Sequence, residues 1–498
     1  WFMARRYYST TSAIPELDRG DVDNMYNEGN SAVYKYGGLV GRLNYVYAGK
    51  YMAEFSFRYD GSYKTAPDKR WGFFPAVSAG WRISEEQFMK DLVPQMDNLK
   101  LRASWGSIGN DSQLNASQFV SGWQFEDRFI LGGAGNSSAS ITNGMKEANL
   151  ANPNITWYKV MTTNVGLDGS FWGGKLSFEF DYFYRKTTGY PATRNTSLPT
   201  TSGIPLPQEN LNSSDNRGFE LSLGTVQRIG NVNLQIKGNV AYAREKDLYK
   251  EQALPLNQYK NWRDNGAYRW KNVTWGYEHI GQFQSYDEIY NSPIQDGKGN
   301  SSLRPGDIKY KDLNGDGLID ANDEKVIGKG TFPDLNFGLT LAADWKGFDV
   351  NILFQGASNY TQVLNALTSP FRGSGEGNGF RVWMDSWHKA DYNDPDSEWV
   401  PGKFPSLRIE GNDNNSKKST YWTTDAYYVR LKSIEIGYTI PKNLLSKVGI
   451  EHLRVYANAY NPLTITNVKY TDPEAIEGWQ SFYYPQLKVY SFGVNVSF

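Results

Sequence analysis

The chain has 498 residues, and its 52 Lys and Arg against 53 Asp and Glu leave a net charge of −1, with no cysteine and three histidines. Near-neutrality gives no basic field for nucleic acid, and the lack of thiols excludes disulfide frameworks, cysteine zinc sites and thiol catalysis. His279, His388 and His452 are scattered along the chain and read as surface or rim residues, not as a centre.

Hydrophobic residues reach only 39%, yet the chain holds 34 Tyr, 25 Phe and 16 Trp. No run approaches the roughly 18 to 20 apolar residues of a membrane helix, which excludes a helical membrane protein. A membrane β-barrel stays open, because its strands alternate lipid-facing apolar with lumen-facing polar side chains and are hydrophilic in bulk. Residue 1 is Trp with no signal peptide before it, so residues 1–498 are expected to be the C-terminal portion of a longer barrel protein.

A weak alternation opens the chain at 1–10, and firmer period-two patterns follow near 36–47, 72–84, 98–109 and 158–171. Between the first two, Tyr51, Ala53, Phe55, Phe57 and Tyr59 alternate with Met52, Glu54, Ser56, Arg58 and Asp60. Leu176, Phe178, Phe180, Tyr182 and Tyr184 then alternate with Ser177, Glu179, Asp181, Phe183 and Arg185. After 216–227, Val232, Leu234, Ile236, Val240 and Tyr242 alternate with Asn233, Gln235, Lys237, Asn239 and Ala241. Segments at 334–342, 346–356, 426–440, 452–462 and 487–498 complete a set of about fourteen predicted strands.

Every second connection is short: 48–50, 85–97, 172–174, 228–231, 343–346 and 441–451. Those between are mostly long, at 11–33, 110–157, 189–215, 247–333, 357–425 and 463–486, with 62–71 the modest member. Short turns on one side and long loops on the other are the layout of an outer-membrane barrel, with periplasmic turns and extracellular loops. The expected fold is therefore an all-β transmembrane antiparallel barrel, with 247–333 and 357–425 as its long extracellular loops. The last strand places Tyr490, Phe492, Val494, Val496 and Phe498 on one face. Its aromatic end resembles the assembly signal of outer-membrane barrels and agrees with a periplasmic terminus.

One motif carries metal chemistry. Asp312, Asn314, Asp316, Asp320 and Asp323 stand at positions 1, 3, 5, 9 and 12 of a twelve-residue loop, with the Leu318 carbonyl at 7 and Gly317 at 6 for the sharp turn. Oxygen ligands at this spacing suit Ca²⁺. Position 12 is Asp where helix–loop–helix sites prefer Glu, and neighbouring Glu324 is a substitute. Gly328 and Gly330 leave little room for an exiting helix, so a structural calcium staple is expected and not a sensor. The acidic cluster Asp391, Asn393, Asp394 and Asp396 lacks this spacing. No strand–helix unit frames Gly373, Gly375, Gly377 and Gly379, which argues for a loop and against a phosphate cradle. Trp262, Trp270, Trp275, Trp383, Trp387, Trp399 and Trp422 fall in the long loops, where they serve either as packing anchors or as platforms for substrate.

Several stretches resemble the SusC/RagA family of TonB-dependent transporters. They are Gly41-Arg42-Leu43-Asn44-Tyr45, Tyr59-Asp60-Gly61-Ser62, Arg70-Trp71-Gly72-Phe73-Phe74-Pro75 and Gly80-Trp81-Arg82-Ile83-Ser84. Further on come Leu99 to Gly106, Asn216-Arg217-Gly218-Phe219-Glu220-Leu221, Gly306-Asp307-Ile308-Lys309-Tyr310, and Val429-Arg430-Leu431-Lys432 to Gly437-Tyr438. They cover nearly the whole chain in the family's order. The resemblance implies a 22-stranded barrel in the outer membrane of a Gram-negative bacterium, with no enzymatic activity. It also implies a plug and TonB-contacting segment outside this chain, a SusD-like lipoprotein lid, and pairing of two transporter–lid units. The cargo it implies is an oligosaccharide or peptide too large for porins. Two other readings remain: a passive fourteen-stranded pore, and a secreted all-β carbohydrate-binding or hydrolytic protein. The last needs a paired-acid constellation that the sequence does not offer.

Overall fold

The computed structural model describes residues 2–5, 26–29, 34–116, 118–131, 140–194, 206–253, 255–364, 367–368, 379–408, 413–445, 449–475, 484 and 486–498. Thirteen strands form one antiparallel sheet in which each pairs with its neighbours in sequence. The first half comprises β1 (Tyr36–Tyr47), β2 (Tyr51–Ser62), β3 (Trp71–Arg82), β4 (Met96–Asn110), β5 (Tyr158–Phe171), β6 (Leu176–Thr193) and β7 (Gln208–Ile229). The second comprises β8 (Val232–Tyr249), β9 (Leu335–Trp345), β10 (Phe348–Val363), β11 (Thr423–Thr439), β12 (His452–Thr466) and β13 (Val489–Ser497).

These are the thirteen firm period-two segments. The weak one at 1–10 is the exception and corrects the count of fourteen: among the described residues Phe2–Arg5 pairs with Tyr26–Gly29 in a separate two-stranded ribbon. Its alternation is too weak to commit one face to an apolar environment, which is what pins a strand's register in a sheet.

Register makes the two faces of the sheet continuous. One row of paired residues runs Tyr47, Tyr51, Trp81, Leu101, Leu167, Phe180, Leu221, Val240 and Phe337. The row one residue on runs Met52, Gly80, Arg102, Gly166, Asp181, Glu220, Ala241 and Asn336. Successive side chains of a strand point to opposite faces, so one face is apolar and the other polar across the whole sheet. The apolar face is bare: Leu43, Phe73, Val77, Leu223, Leu339 and Phe492 are all exposed. A soluble protein does not leave an apolar surface of this extent uncovered.

Aromatic pairs fringe that face at both ends. Near the short turns Tyr47 stacks on Tyr51 at 6.4 Å and Trp345 on Phe348 at 6.1 Å. Toward the long loops Tyr59 stacks on Trp71 at 5.1 Å and Phe219 on Tyr242 at 5.9 Å. Two aromatic girdles around an apolar band are the signature of a strand wall crossing a bilayer. No helix among the described residues is long and apolar enough to cross one.

The predicted parity of connections is kept. Trp345 pairs with Phe348, so Lys346 and Gly347 alone make that turn, and both have positive φ, 45° and 92°. That pair of left-handed residues matches the twist of a hairpin. At the opposite end β8 and β10 run on to Tyr249 and Val363, which leaves the two longest connections as 250–334 and 364–422.

Candidate functional site

The two long connections build one body at the long-loop end of the sheet. Tyr277, Ile308, Tyr310 and Ile319 from the first are buried against Leu367, Trp383, Phe404 and Trp422 from the second. Polar groups lock the seam. The Asn415 side chain donates to Asp307 at 2.8 Å and accepts from the Ile308 N–H at 3.0 Å. Gln295 donates to Asn414 at 2.9 Å and the Tyr310 hydroxyl to the Asn414 carbonyl at 2.7 Å, while within the second connection the Trp422 indole donates to the Asn415 carbonyl at 2.7 Å. Burial pushes the Asp307 carboxyl up although the Arg408 guanidinium beside it pulls the other way. Burial, aided by the charges of Glu324, Asp320 and Asp323, pushes the Tyr277 hydroxyl up to about 12. Both groups are structural.

Trp383, Trp387 and Trp422 are buried anchors of this body. Trp262, Trp270 and Trp275 behave differently. With Tyr268, Arg263 and Arg269 they line a groove of about 1020 Å³ beside the end of β8. Trp262 is exposed on a short helix, Gln258–Asp264, whose N-cap Asn257 side chain accepts from the Lys260 N–H. Aromatic faces beside guanidinium groups can stack on sugar rings and pair with acidic or amide groups.

The acidic loop sits on the same body. Gly315 and Gly317 take positive φ of 74° and 80°, as a tight oxygen-lined loop requires. Asp312 accepts from the N–H groups of Gly315 and Gly317 at 2.7 and 2.9 Å, Asn314 from Asp316 at 2.9 Å, Asp316 from Leu318 at 2.9 Å, and Asp320 from Asn322 at 2.7 Å. Asp323 is fully buried, and its carboxylate accepts from Leu313 at 2.8 Å, Asn314 at 3.4 Å and Asp320 at 2.9 Å. Ile319, one past Leu318, is buried and donates its N–H to the Ile294 carbonyl at 2.7 Å. Glu324 instead turns to Arg263 at 3.6 Å. Among the described residues no three His, Cys, Asp or Glu side chains stand close enough together to hold a metal as placed. The motif's six residues nonetheless share one short loop, residues 312–323.

The polar face of the sheet is laced by arginines. Arg102 spans Asp168 at 2.9 Å and Asp181 at 2.5 Å, Arg454 spans Asp349 and Glu435, and Arg42 meets Glu54 at 2.6 Å. A further arginine, which sequence reasoning placed only in a resemblance motif, is the most deeply buried. Arg430 on β11 reaches into the connection 467–488, holding Asp472 at 2.8 Å together with Glu474, while Thr464 accepts its Nε–H at 3.0 Å. Tyr360 and Tyr428 donate to the Pro473 carbonyl and Glu474 at 2.8 and 2.9 Å. The run Thr471-Asp472-Pro473-Glu474 carries the signal in sequence, but nothing local says that β11 is its partner.

Among the described residues the histidines join no metal-sized cluster. His279 is half-buried against Thr420, with its imidazole pKa lowered by burial, and His388 faces the Ser386 carbonyl at 2.9 Å. Of the glycine-rich run only Gly379 lies within the described residues.

An apolar outer face, an ion-paired inner face and a loop body gathered at one end define a membrane-barrel receptor wall. Residues 2–462 match the model of the TonB dependent receptor-like β-barrel family, and the chain belongs to that family. It is 29% identical over 482 residues to a TonB-dependent receptor of Formosa agariphila, covering 92% of this chain and 45% of that one. It is 26% identical over 471 residues to the TonB-dependent receptor SusC of Bacteroides thetaiotaomicron, covering 92% and 43%. The RagAB peptide transporter shares its fold, with a TM-score of 0.71 and 22% identity over 98% of this chain and 50% of that one. The chain spans about half the length of the curated relatives it matches.

Proposed function

We propose that this chain forms part of the wall of an active importer in the outer membrane of a Gram-negative bacterium. Its cargo is an oligosaccharide or a peptide too large for passive pores. The observation that carries this reading is the split of one thirteen-stranded sheet into an apolar face fringed by aromatics and a polar face laced with ion pairs. Lipid on one side and a wet lumen on the other account for both faces. The short turns then lie in the periplasm and the loop body outside the cell.

In this reading β1 and β13, the two edges of the sheet, pair with further strands to close the barrel, since an open edge is not tolerated in lipid. A plug within the lumen couples to TonB, and a SusD-like lipoprotein covers the loop body as a lid, with two such units paired. The RagAB peptide transporter, whose fold the chain shares, supports peptide as a cargo class; the lid and the oligosaccharide class rest on the resemblance to the SusC/RagA family. The part of the groove lined by Trp262, Trp275 and Arg269 is the surface we assign to first contact with cargo. For the acidic loop we propose structural Ca²⁺ held by Asp312, Asn314, Asp316, the Leu318 carbonyl and Asp320, with Asp323 closing the loop. A carboxylate oxygen that accepts one N–H keeps a second lone pair for a cation.

Uptake by cells with and without the gene tests the proposal. Labelled oligosaccharide and peptide fractions too large for porins are supplied with and without a protonophore. Uptake of one fraction should require both the gene and the proton-motive force. Gene-dependent uptake that survives the protonophore makes the protein a passive pore and refutes the active mechanism.

A further inference from the structure

The apolar face does not end in neutral polar residues at its long-loop end. Across β5 to β8 it ends in cations. Lys159 pairs with Thr188, two residues beyond Lys186 on the same face. Lys186 pairs with Asp215 and Asp215 with Lys246, while Tyr184 pairs with Arg217 and Arg217 with Arg244. All stand in register with Phe180, Phe219 and Tyr242 of the upper aromatic girdle. Five cations thus share one outward-facing patch with two carboxylates, Asp215 and Asp334, which pair with Arg217 at 3.0 Å and Arg244 at 3.5 Å. Lys159, Lys186 and Lys246 have no carboxylate partner among the described residues.

Aromatic rings frame the patch. Trp270 lies over Arg244 at 4.3 Å and Arg217 at 5.6 Å, and Tyr268, 72% exposed, faces Lys246 at 5.6 Å. Its height follows from strand geometry. From Val232 to Tyr242 the apolar residues of β8 cover ten steps of about 3.3 Å. At a tilt near 40° that is about 25 Å, the thickness of the apolar band of an outer-membrane barrel. Arg244 and Lys246 come two and four residues later, about 5 to 10 Å further, which is headgroup depth.

We infer that this patch binds the phosphorylated headgroup of a lipid in the outer leaflet. Cations at that depth meet phosphate before they meet cargo, and they stand on the opposite face from the lumen arginines. The apolar residues below would hold the acyl chains, and Tyr268 and Trp270 would flank the headgroup. The inference rests on the outer-membrane reading above.

The test uses the full-length transporter with its natural partners, extracted in mild detergent and placed in phosphatidylcholine nanodiscs containing a bis-phosphorylated glucosamine lipid. Retained lipid is counted by native mass spectrometry. Each surface cation contributes roughly fivefold to attraction of an anionic lipid, so K159Q/K186Q/K246Q should lower apparent affinity on the order of 100-fold, and salt should weaken the wild type. K237Q, on the polar face of β8, should bind as the wild type does. Membrane level and heat-modifiable gel mobility check that the variants fold. Equal retention by the triple variant, or equal retention of the dephosphorylated lipid, overturns the inference. So does binding of inorganic phosphate alone with the same dependence on the three lysines, which would make this a free-phosphate site. Recovery of the wild type in the aqueous phase without detergent would refute the membrane reading itself.

Discussion

Arg430→Ala should release the connection 467–475 from the wall while leaving the sheet intact. The guanidinium is 2% exposed, whereas its partners Asp472 and Glu474 are about a fifth exposed, at 21% and 24%. Removing one partner of a buried ion pair typically costs about 3 to 5 kcal/mol, because a charge is left without compensation. Partial solvation of the two carboxylates brings that down to about 2 to 4 kcal/mol. The loss falls on a local opening and not on the sheet, since β11 keeps its ladders to β10 and β12. Amide protection in 468–475 should therefore drop roughly 30- to 700-fold, at about 1.4 kcal/mol per decade. Hydrogen exchange read by mass spectrometry on the detergent-extracted protein measures this directly. A triple variant, Arg430→Met with Asp472→Asn and Glu474→Gln, should recover most of the protection, because neutral groups need no counter-charge. Unchanged exchange in Arg430→Ala would show that the Tyr360, Tyr428 and Val468 contacts hold the segment alone.

Three further outcomes follow from the loop body and the sheet. Asp296 accepts from the N–H groups of Lys298, Asn300 and Ser302 and from the Ser302 hydroxyl. Burial alone would raise its pKa, but these bonds outweigh it and hold the carboxyl at about 2. The folded state thus binds this proton more weakly than the unfolded chain. Its contribution is complete above about pH 4 and lost as pH falls toward 2, so Asp296→Asn should flatten the acid onset of protease sensitivity near 296–302, and an unchanged acid profile would contradict the assignment. Chelation with EGTA should raise cleavage near Asp316 and leave the barrel's gel mobility unchanged, whereas an identical cleavage pattern would argue against bound calcium. A Cβ on Gly218 would stand 2.0 Å from the Tyr242 carbonyl oxygen, so Gly218→Ala must part β7 from β8. A sharp fall in outer-membrane level is expected, and normal assembly would show that the strands can slide.

How much of this was legible in the sequence depends on how local the cause is. Tyr51 to Asp60 or Val232 to Tyr242 announce strands because two different solvents act on alternate residues, and that pressure is written every second position. The turn at Lys346-Gly347 and the acidic loop at 312–323 are likewise complete within a few residues. The body that carries the candidate site is not. Its seam joins Asp307 to Asn415 and Tyr310 to Asn414 across about a hundred residues, and no periodicity marks either asparagine. The seven loop tryptophans looked equivalent in sequence, yet burial separates Trp383, Trp387 and Trp422 from the groove set Trp262, Trp270 and Trp275. Residues 1–10 misled for the complementary reason: a weak alternation fixes no register, and pairing went to the nearest available segment at 26–29.

The distribution of charge bears on where the proposed importer would meet its cargo. Arg42, Arg102 and Arg454 on the inner face are each matched by carboxylates of the wall itself, with Arg102 and Arg454 each bridging two. A guanidinium that donates to two carboxylates is already satisfied and offers little to passing cargo. Those residues tie neighbouring strands of the wall together. On the import reading proposed above, discrimination falls to the long-loop end, where Arg269 stands with Trp262 and Trp275 around an open groove. That groove cannot vary independently of its support. Its floor belongs to 250–334, whose Tyr277, Ile308 and Tyr310 are buried against Trp383, Phe404 and Trp422 of 364–422. Loss of a large aromatic from such a core costs about 3 to 5 kcal/mol. If the groove takes cargo as proposed, its preference belongs to the two loops as one packed unit, and a change in the groove has to pass through both while the thirteen strands beneath remain as they are.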